Sequence, residues 1–140
     1  MTRINVVEPS ELHDLHLLAE YRELPRVFAL AEHASKDEAW RKRQPKAYTL
    51  GTGHVLFFYD KLRWLSKRHQ QLVREMQKRG FSPKFTKSLE AQWRPAIPAP
   101  YWRDYKPTAE ARVVNRERIH LRLKNMKGGR DWIKSLPFFI

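Results

Sequence analysis

Apolar residues recur at helical spacing in three stretches of the 140-residue chain. The first holds Leu12, Leu15, Ala19, Val27 and Leu30, with Ser10 placed after Pro9 as an N-cap. Pro25 falls inside this stretch. It lacks a backbone donor, so the helix is expected to kink there or to divide after Leu24. The second stripe, Leu62, Leu65, His69, Leu72, Val73 and Met76, predicts a helix capped by Asp60 and stopped by Gly80. Thr108 is expected to cap a third helix, to about Met126, with Val114, Ile119, Leu123 and Met126 facing the core. Between them, residues 36–43 read as a short charged helix or loop, and residues 44–53 as a connector broken by Pro45, Gly51 and Gly53. Residues 82–107 carry Pro83, Pro95, Pro98, Pro100 and Pro107 and predict irregular extended chain. The tail, with Gly128, Gly129 and Trp132, reads as a loop packed back on the rest. No repeat, low-complexity tract or long alternating pattern occurs. The expected fold is all-α: one compact domain over residues 1–140, with about three main helices and long irregular connections.

Charge changes this picture. Lys and Arg number 28 against 15 Asp and Glu, a formal net charge of +13. An excess of that size opposes compaction and suits a polyanionic partner, with nucleic acid first and an anionic membrane surface second. No apolar run approaches the roughly 18 residues of a membrane-spanning helix, and the start lacks a signal-peptide core. The chain has no cysteine, which excludes disulfides, thiolate nucleophiles and Cys-based metal sites. A cytoplasmic, nucleoid-associated protein with no membrane partner is the simplest expectation.

The candidate chemistry is concentrated near the N-terminus. Glu20, Arg22, Glu23 and Arg26 place two acids and two bases within about two turns of an otherwise apolar helix, a costly arrangement unless the charges are used. Thr2 is small, so removal of the initiator Met is expected to leave it with a free α-amine. Such an amine has a reference pKa of about 8 against about 10.4 for Lys, which makes it a ready nucleophile for imine formation. Arg22 and Arg26 stand four residues apart on one face, and Arg3 follows the candidate nucleophile; guanidinium forks suit phosphate. The third helix carries Arg112, Arg116, Arg118, Arg122, Lys124 and Lys127. His13 and His16 are three apart, but no further ligand pattern accompanies them, so no metal or other cofactor is expected. Gly51-Thr52-Gly53 reads as a turn. The aromatic residues belong mostly to the core, with Trp102 and Trp132 as candidates for stacking on bases.

Several blocks carry a resemblance. They are Thr2-Arg3-Ile4-Asn5; His16 with Ala19 through Phe28; Leu50-Gly51-Thr52-Gly53-His54-Val55; Phe57 through Leu62; and Lys78-Arg79-Gly80-Phe81, with weaker matches at Asp104-Tyr105, Pro107 and Arg118. In these the chain resembles the phage-type pyrimidine-dimer DNA glycosylase/AP lyase family. The likeness lapses at residues 30–48, at 82–103 and at the C-terminus, where Trp132-Ile133-Lys134-Ser135-Leu136 stands in place of the family's Trp-Tyr-Lys-Tyr-Tyr. The resemblance implies attack by the Thr2 amine on C1′ of the damaged nucleotide, with Glu23 as the assisting carboxylate. It also implies Arg3, Arg22, Arg26, Arg118 and Arg122 as contacts to DNA, the last replacing a family lysine. His16 matches a family histidine, and Trp132 falls in the run that lies by the lesion. The implied partner is lesion-containing duplex DNA bound by a monomer. Read from the residues alone, two alternatives stay open. One is the same imine chemistry on another damaged base or on abasic sites; the other is a non-catalytic basic nucleic-acid-binding module.

Overall fold

A continuous apolar stripe runs straight through Pro25. In the computed structural model, which describes residues 3–126, Leu17, Tyr21, Leu24, Phe28 and Ala31 are all buried. Their steps of three and four residues hold helical phase across the break. The backbone divides into α1 (Asp14–Glu23) and α2 (Pro25–Ala34), joined at Leu24, which keeps right-handed helical angles of φ −54° and ψ −42°. Proline thus removes a hydrogen bond without turning the apolar face away. The remaining helices are α3 (Leu62–Lys78), a short α4 (Leu89–Trp93) and α5 (Ala109–Lys124). No strand occurs among the described residues, only one isolated bridge between Lys61 and Trp102. The fold is all-α, and the first expected helix is in fact two.

Local chemistry explains where the ends fall. Ser10 does not cap α1; it lies in a 3-10 turn (Pro9–Glu11), and His13 Nδ1 accepts the Leu15 N–H instead at 3.1 Å. Leu12 is buried but lies outside the helix. Within α1 and its junction the buried face is Leu17, Tyr21 and Leu24, so Leu15 is 59% exposed; on α2 Leu30 falls outside the buried face of Val27, Phe28 and Ala31 and is exposed. Asp60 is not a cap either. Lys61 occupies that position without a side-chain cap, while the buried Asp60 carboxylate accepts from Gln44 Nε2 and Lys61 Nζ, both at 3.0 Å. The other two signals act as expected. Gly80 takes φ +94°, Phe81 N–H bonds the Met76 carbonyl and Gly80 N–H that of Gln77, closing a Schellman motif. Thr108 Oγ1 accepts the Ala111 N–H at 3.0 Å and opens α5, on which Ile119 and Leu123 are buried and Val114 half-buried, with Met126 half-buried just past the helix end. The proline-rich stretch is less irregular than expected. Ser88 caps α4, and 3-10 turns follow at Arg94–Ala96 and Ala99–Tyr101.

The N-terminal segment is threaded through this frame. Ile4, Val6 and Val7 are buried in the same apolar cluster as α1, α2 and α3, and α1 packs on α3. A segment in that position needs partners for its peptide groups. Tyr48 Oη donates to the Ile4 carbonyl at 2.8 Å, and the Ile4 N–H donates to His54 Nε2 at 2.9 Å. Asn115 Oδ1, from α5, accepts both Val6 N–H at 2.7 Å and Val7 N–H at 3.2 Å. The turn at Gly51–Gly53 serves this arrangement. Gly53 has φ +89°, and a Cβ there would stand 3.1 Å from Pro45 Cγ; the next residue is His54. No described helix is long and apolar enough to cross a membrane.

Candidate active site

One side of α1 carries His16, Ala19, Glu20 and Glu23. These residues, with Arg3 and Asn5 from the N-terminal segment and Arg118, Ile119 and Arg122 from α5, line a cleft of about 260 Å³. Glu23 is half-buried and makes no hydrogen bond or ion pair with any described residue. An ordinary helix-surface Glu beside Arg26 would pair with it, and this one does not. Glu20, only one turn away, has a different fate. It is 2% exposed and takes a two-pronged ion pair from Arg68 of α3, Nε to Oε2 at 2.8 Å and Nη2 to Oε1 at 3.0 Å. Of the two acids in the cluster, one is consumed by the core and one is left free in the cleft.

The cleft is strongly cationic. Burial first, and then the charges of Arg122 and Arg118, lower the Arg3 pKa to about 10, so it stays protonated at neutral pH. Burial and Arg118 likewise lower that of Arg122. One nitrogen of Arg3, Nη1, is buried without a hydrogen-bond partner among the described residues, and so is His16 Nδ1. His16 is held neutral: burial, then His13, Arg122 and Arg3, bring its pKa down to about 4. Crowded guanidiniums with unspent donors form a site for an anion, and forks of this type match phosphate.

The structure does not bring all the expected residues to this cleft. Arg22 and Arg26 are exposed and straddle the division at Leu24; neither lines the cleft with Glu23, and Arg22 borders a second one on the other side of α1. Arg116 is spent on Glu11, in a two-pronged pair at 3.0 and 3.1 Å. Trp102 is buried, and its indole N–H donates to the Ile97 carbonyl at 3.0 Å, which places it in the core and not on a base-stacking surface. Thr2 and Trp132 lie outside the described residues. Sequence reasoning missed Asn5, Tyr48, His54, Arg68 and Asn115, which hold the segment bearing Arg3. The matched blocks already contained Asn5 and His54; Arg68 and Asn115 sat unremarked among the charges of their helices.

His54 also makes the arrangement sensitive to acid. Its Nε2 must be unprotonated to accept the Ile4 N–H, so Nδ1 carries the proton and donates to the Thr49 carbonyl at 2.7 Å. Burial is the first cause lowering the pKa of His54, of His69 and of His16. A folded state with depressed histidine pKa values binds fewer protons than the unfolded chain, so stability rises with pH through that window. Urea unfolding midpoints should be level at alkaline pH. They should decline as pH falls below about 6.5, the ordinary value for histidine, with the contribution of His16 fully lost near pH 4. A midpoint that rises between pH 6.5 and 4 would contradict this.

A carboxylate with no hydrogen bond or ion pair to a described residue, set among guanidiniums on an all-α frame of high positive charge, suits work on a phosphodiester backbone. Residues 1–90 match the family of pyrimidine dimer DNA glycosylases, and the chain belongs to that family. It is a DNA glycosylase with AP-lyase activity, acting in DNA repair at pyrimidine dimers. The matched region takes in the N-terminal segment, α1, α2, α3 and His54, and ends before α5 supplies Asn115, Arg118 and Arg122.

Proposed function

We propose that the protein incises DNA at cyclobutane pyrimidine dimers through an imine formed by the α-amine of Thr2 after removal of Met1. The observation that carries this reading is the free carboxylate of Glu23, in a cleft shared with Arg3, the residue that follows Thr2. The amine lone pair attacks C1′ of the damaged nucleotide and the N-glycosidic bond breaks, with its electrons leaving on the base. Opening of the C1′–O4′ bond delivers a proton to O4′ and leaves a protonated imine. Loss of a C2′ proton then expels the 3′ phosphate by β-elimination, and water releases the enzyme. Glu23 is the group placed to stabilise positive charge at C1′ and to move protons in the later steps. Arg3, Arg118 and Arg122 hold phosphates around it, and Arg22 and Arg26 hold the backbone on the outer face of the α1–α2 junction. Neutral His16 offers its free Nδ1 to the substrate without adding charge.

A larger cleft of about 940 Å³ lies on the other side of α1, walled by Tyr21, Phe81, Phe85, Trp93 and His69 and rimmed by Arg22, Lys84 and Lys87. Aromatic walls with a cationic rim suit a nucleotide turned out of the stack, and this cleft is the place for the base opposite the lesion. The dimer is already distorted, so bending such a duplex costs less than bending an intact one.

Borohydride trapping on a duplex with one cis-syn thymine dimer, using protein whose N-terminal mass has been verified, tests the reading. The expected result is a covalent adduct that maps to Thr2. An adduct on abasic DNA but not on the dimer would keep the chemistry and overturn the lesion. No adduct on either would overturn the imine mechanism.

A further inference from the structure

His69 occupies a stripe position of α3 where an aliphatic side chain would pack at no polar cost. It is 1% exposed, and neither ring nitrogen has a hydrogen-bond partner among the described residues. Buried polar groups are nearly always paired in folded proteins, so an imidazole left this way needs a reason. Its surroundings supply one. Tyr21 stacks on the ring with centroids 5.3 Å apart and planes 18° apart, fixing its orientation, and the ring borders the larger cleft. The Tyr21 hydroxyl in turn accepts the Phe85 N–H at 2.8 Å, pinning the loop whose phenyl ring stands 74% exposed at the cleft.

We propose that His69 is a specificity-determining residue that hydrogen-bonds the edge of the nucleobase entering this cleft, so that incision depends on the base opposite the lesion. The proposal rests on the reading that the cleft receives the extruded nucleotide. Burial keeps His69 below its ordinary pKa and therefore neutral, with one donor and one acceptor. Neither nitrogen is committed to another described residue, and both are covered in the DNA-free protein. The base reaches them once Tyr21, and the Phe85 loop pinned to it, open from the ring, and the tautomer is then free to match it. Phe85 offers a face for stacking, and Lys84, Lys87 and Arg22 offer charge to the flanking phosphates. A site built to hydrogen-bond a substrate group rejects the analogue that lacks it, because its own polar group is then left unpaired.

Single-turnover incision tests this on dimer duplexes with adenine, purine, 7-deazaadenine or a base-free tetrahydrofuran opposite the lesion. Purine lacks the exocyclic amine and 7-deazaadenine the N7 acceptor. Wild type should incise the adenine duplex roughly tenfold faster than at least one of these two analogues. His69→Leu should flatten that preference, and His69→Gln, whose amide offers both a donor and an acceptor, should retain it. Equal wild-type rates on adenine, purine and 7-deazaadenine would overturn the proposal while leaving the imine mechanism standing. So would a His69→Leu protein that slows on every duplex by one common factor, which is the signature of packing alone. If His69→Leu does not fold, the wild-type series and His69→Gln still decide the question. No incision of any duplex by wild type would overturn the functional reading and this proposal with it.

Discussion

Glu23→Gln should lower incision of a dimer-containing duplex by about 10²- to 10⁴-fold, the range usual for a group that transfers protons in the transition state. The substitution keeps the size and hydrogen-bonding reach of the side chain and removes its charge. DNA binding should persist and tighten modestly, since a negative charge leaves a cleft that Arg3, Arg118 and Arg122 hold ready for phosphate. Stability should shift by less than about 0.5 kcal/mol, because Glu23 has no hydrogen bond or ion pair with a described residue to lose. Single-turnover incision, fluorescence anisotropy of a labelled duplex and thermal unfolding measure the three quantities separately. Undiminished incision would remove Glu23 from the mechanism. Parallel losses of binding and incision would make it a positioning group for DNA, and a large drop in melting temperature would make it structural.

Sequence patterning carried this fold unevenly, and the reason is physical. Gly80 and Thr108 were legible because a left-handed C′ residue and a side-chain N-cap each act over a few neighbouring residues. Pro25 was legible as a break but not in its consequence, since only packing shows that the apolar stripe keeps its phase through it. Leu15 misled for a related reason. An N-cap taken three residues early, at Ser10 instead of His13, counts Leu12 into the helix and builds the stripe from it, and a Leu expected in the core faces solvent. The site divides along the same line. The acid–base cluster announced that charges were being used; it did not say that Glu20 meets Arg68 forty-eight residues away while Glu23 is left free. That division depends on α1 packing against α3, which no local pattern encodes. Asn115 was the least legible. Among the basic residues of α5 it looks like a surface position, yet it is 1% exposed and closes the peptide groups of Val6 and Val7.

The largest stability effect should come from the buried pair of Glu20 and Arg68. Their side chains are 1% and 2% exposed. They belong to a continuous network: Arg68 also donates to the Val7 carbonyl, Asn5 Nδ2 donates to Glu20 at 2.8 Å, and Asn115 Nδ2 donates to Asn5 at 2.8 Å. Arg68→Met should destabilise by about 3–5 kcal/mol, because it strands a carboxylate in the core with one amide for company. For a chain of this length that corresponds to a melting temperature lower by roughly 10–15 °C. Replacing both partners, with Glu20→Leu added, should recover part of the loss, since an apolar pair avoids the desolvation that an orphaned charge suffers. Activity should not recover with it. Asn5 would then lack the carboxylate that ties the N-terminal segment to α1, and Arg3 stands two residues before Asn5 in the cleft wall. Thermal unfolding and incision, measured on both variants well below their melting temperatures, separate the two roles. A double variant that regains stability yet incises slowly would show that the buried charges position the N-terminal segment. One that incises at the wild-type rate would confine the pair to stability.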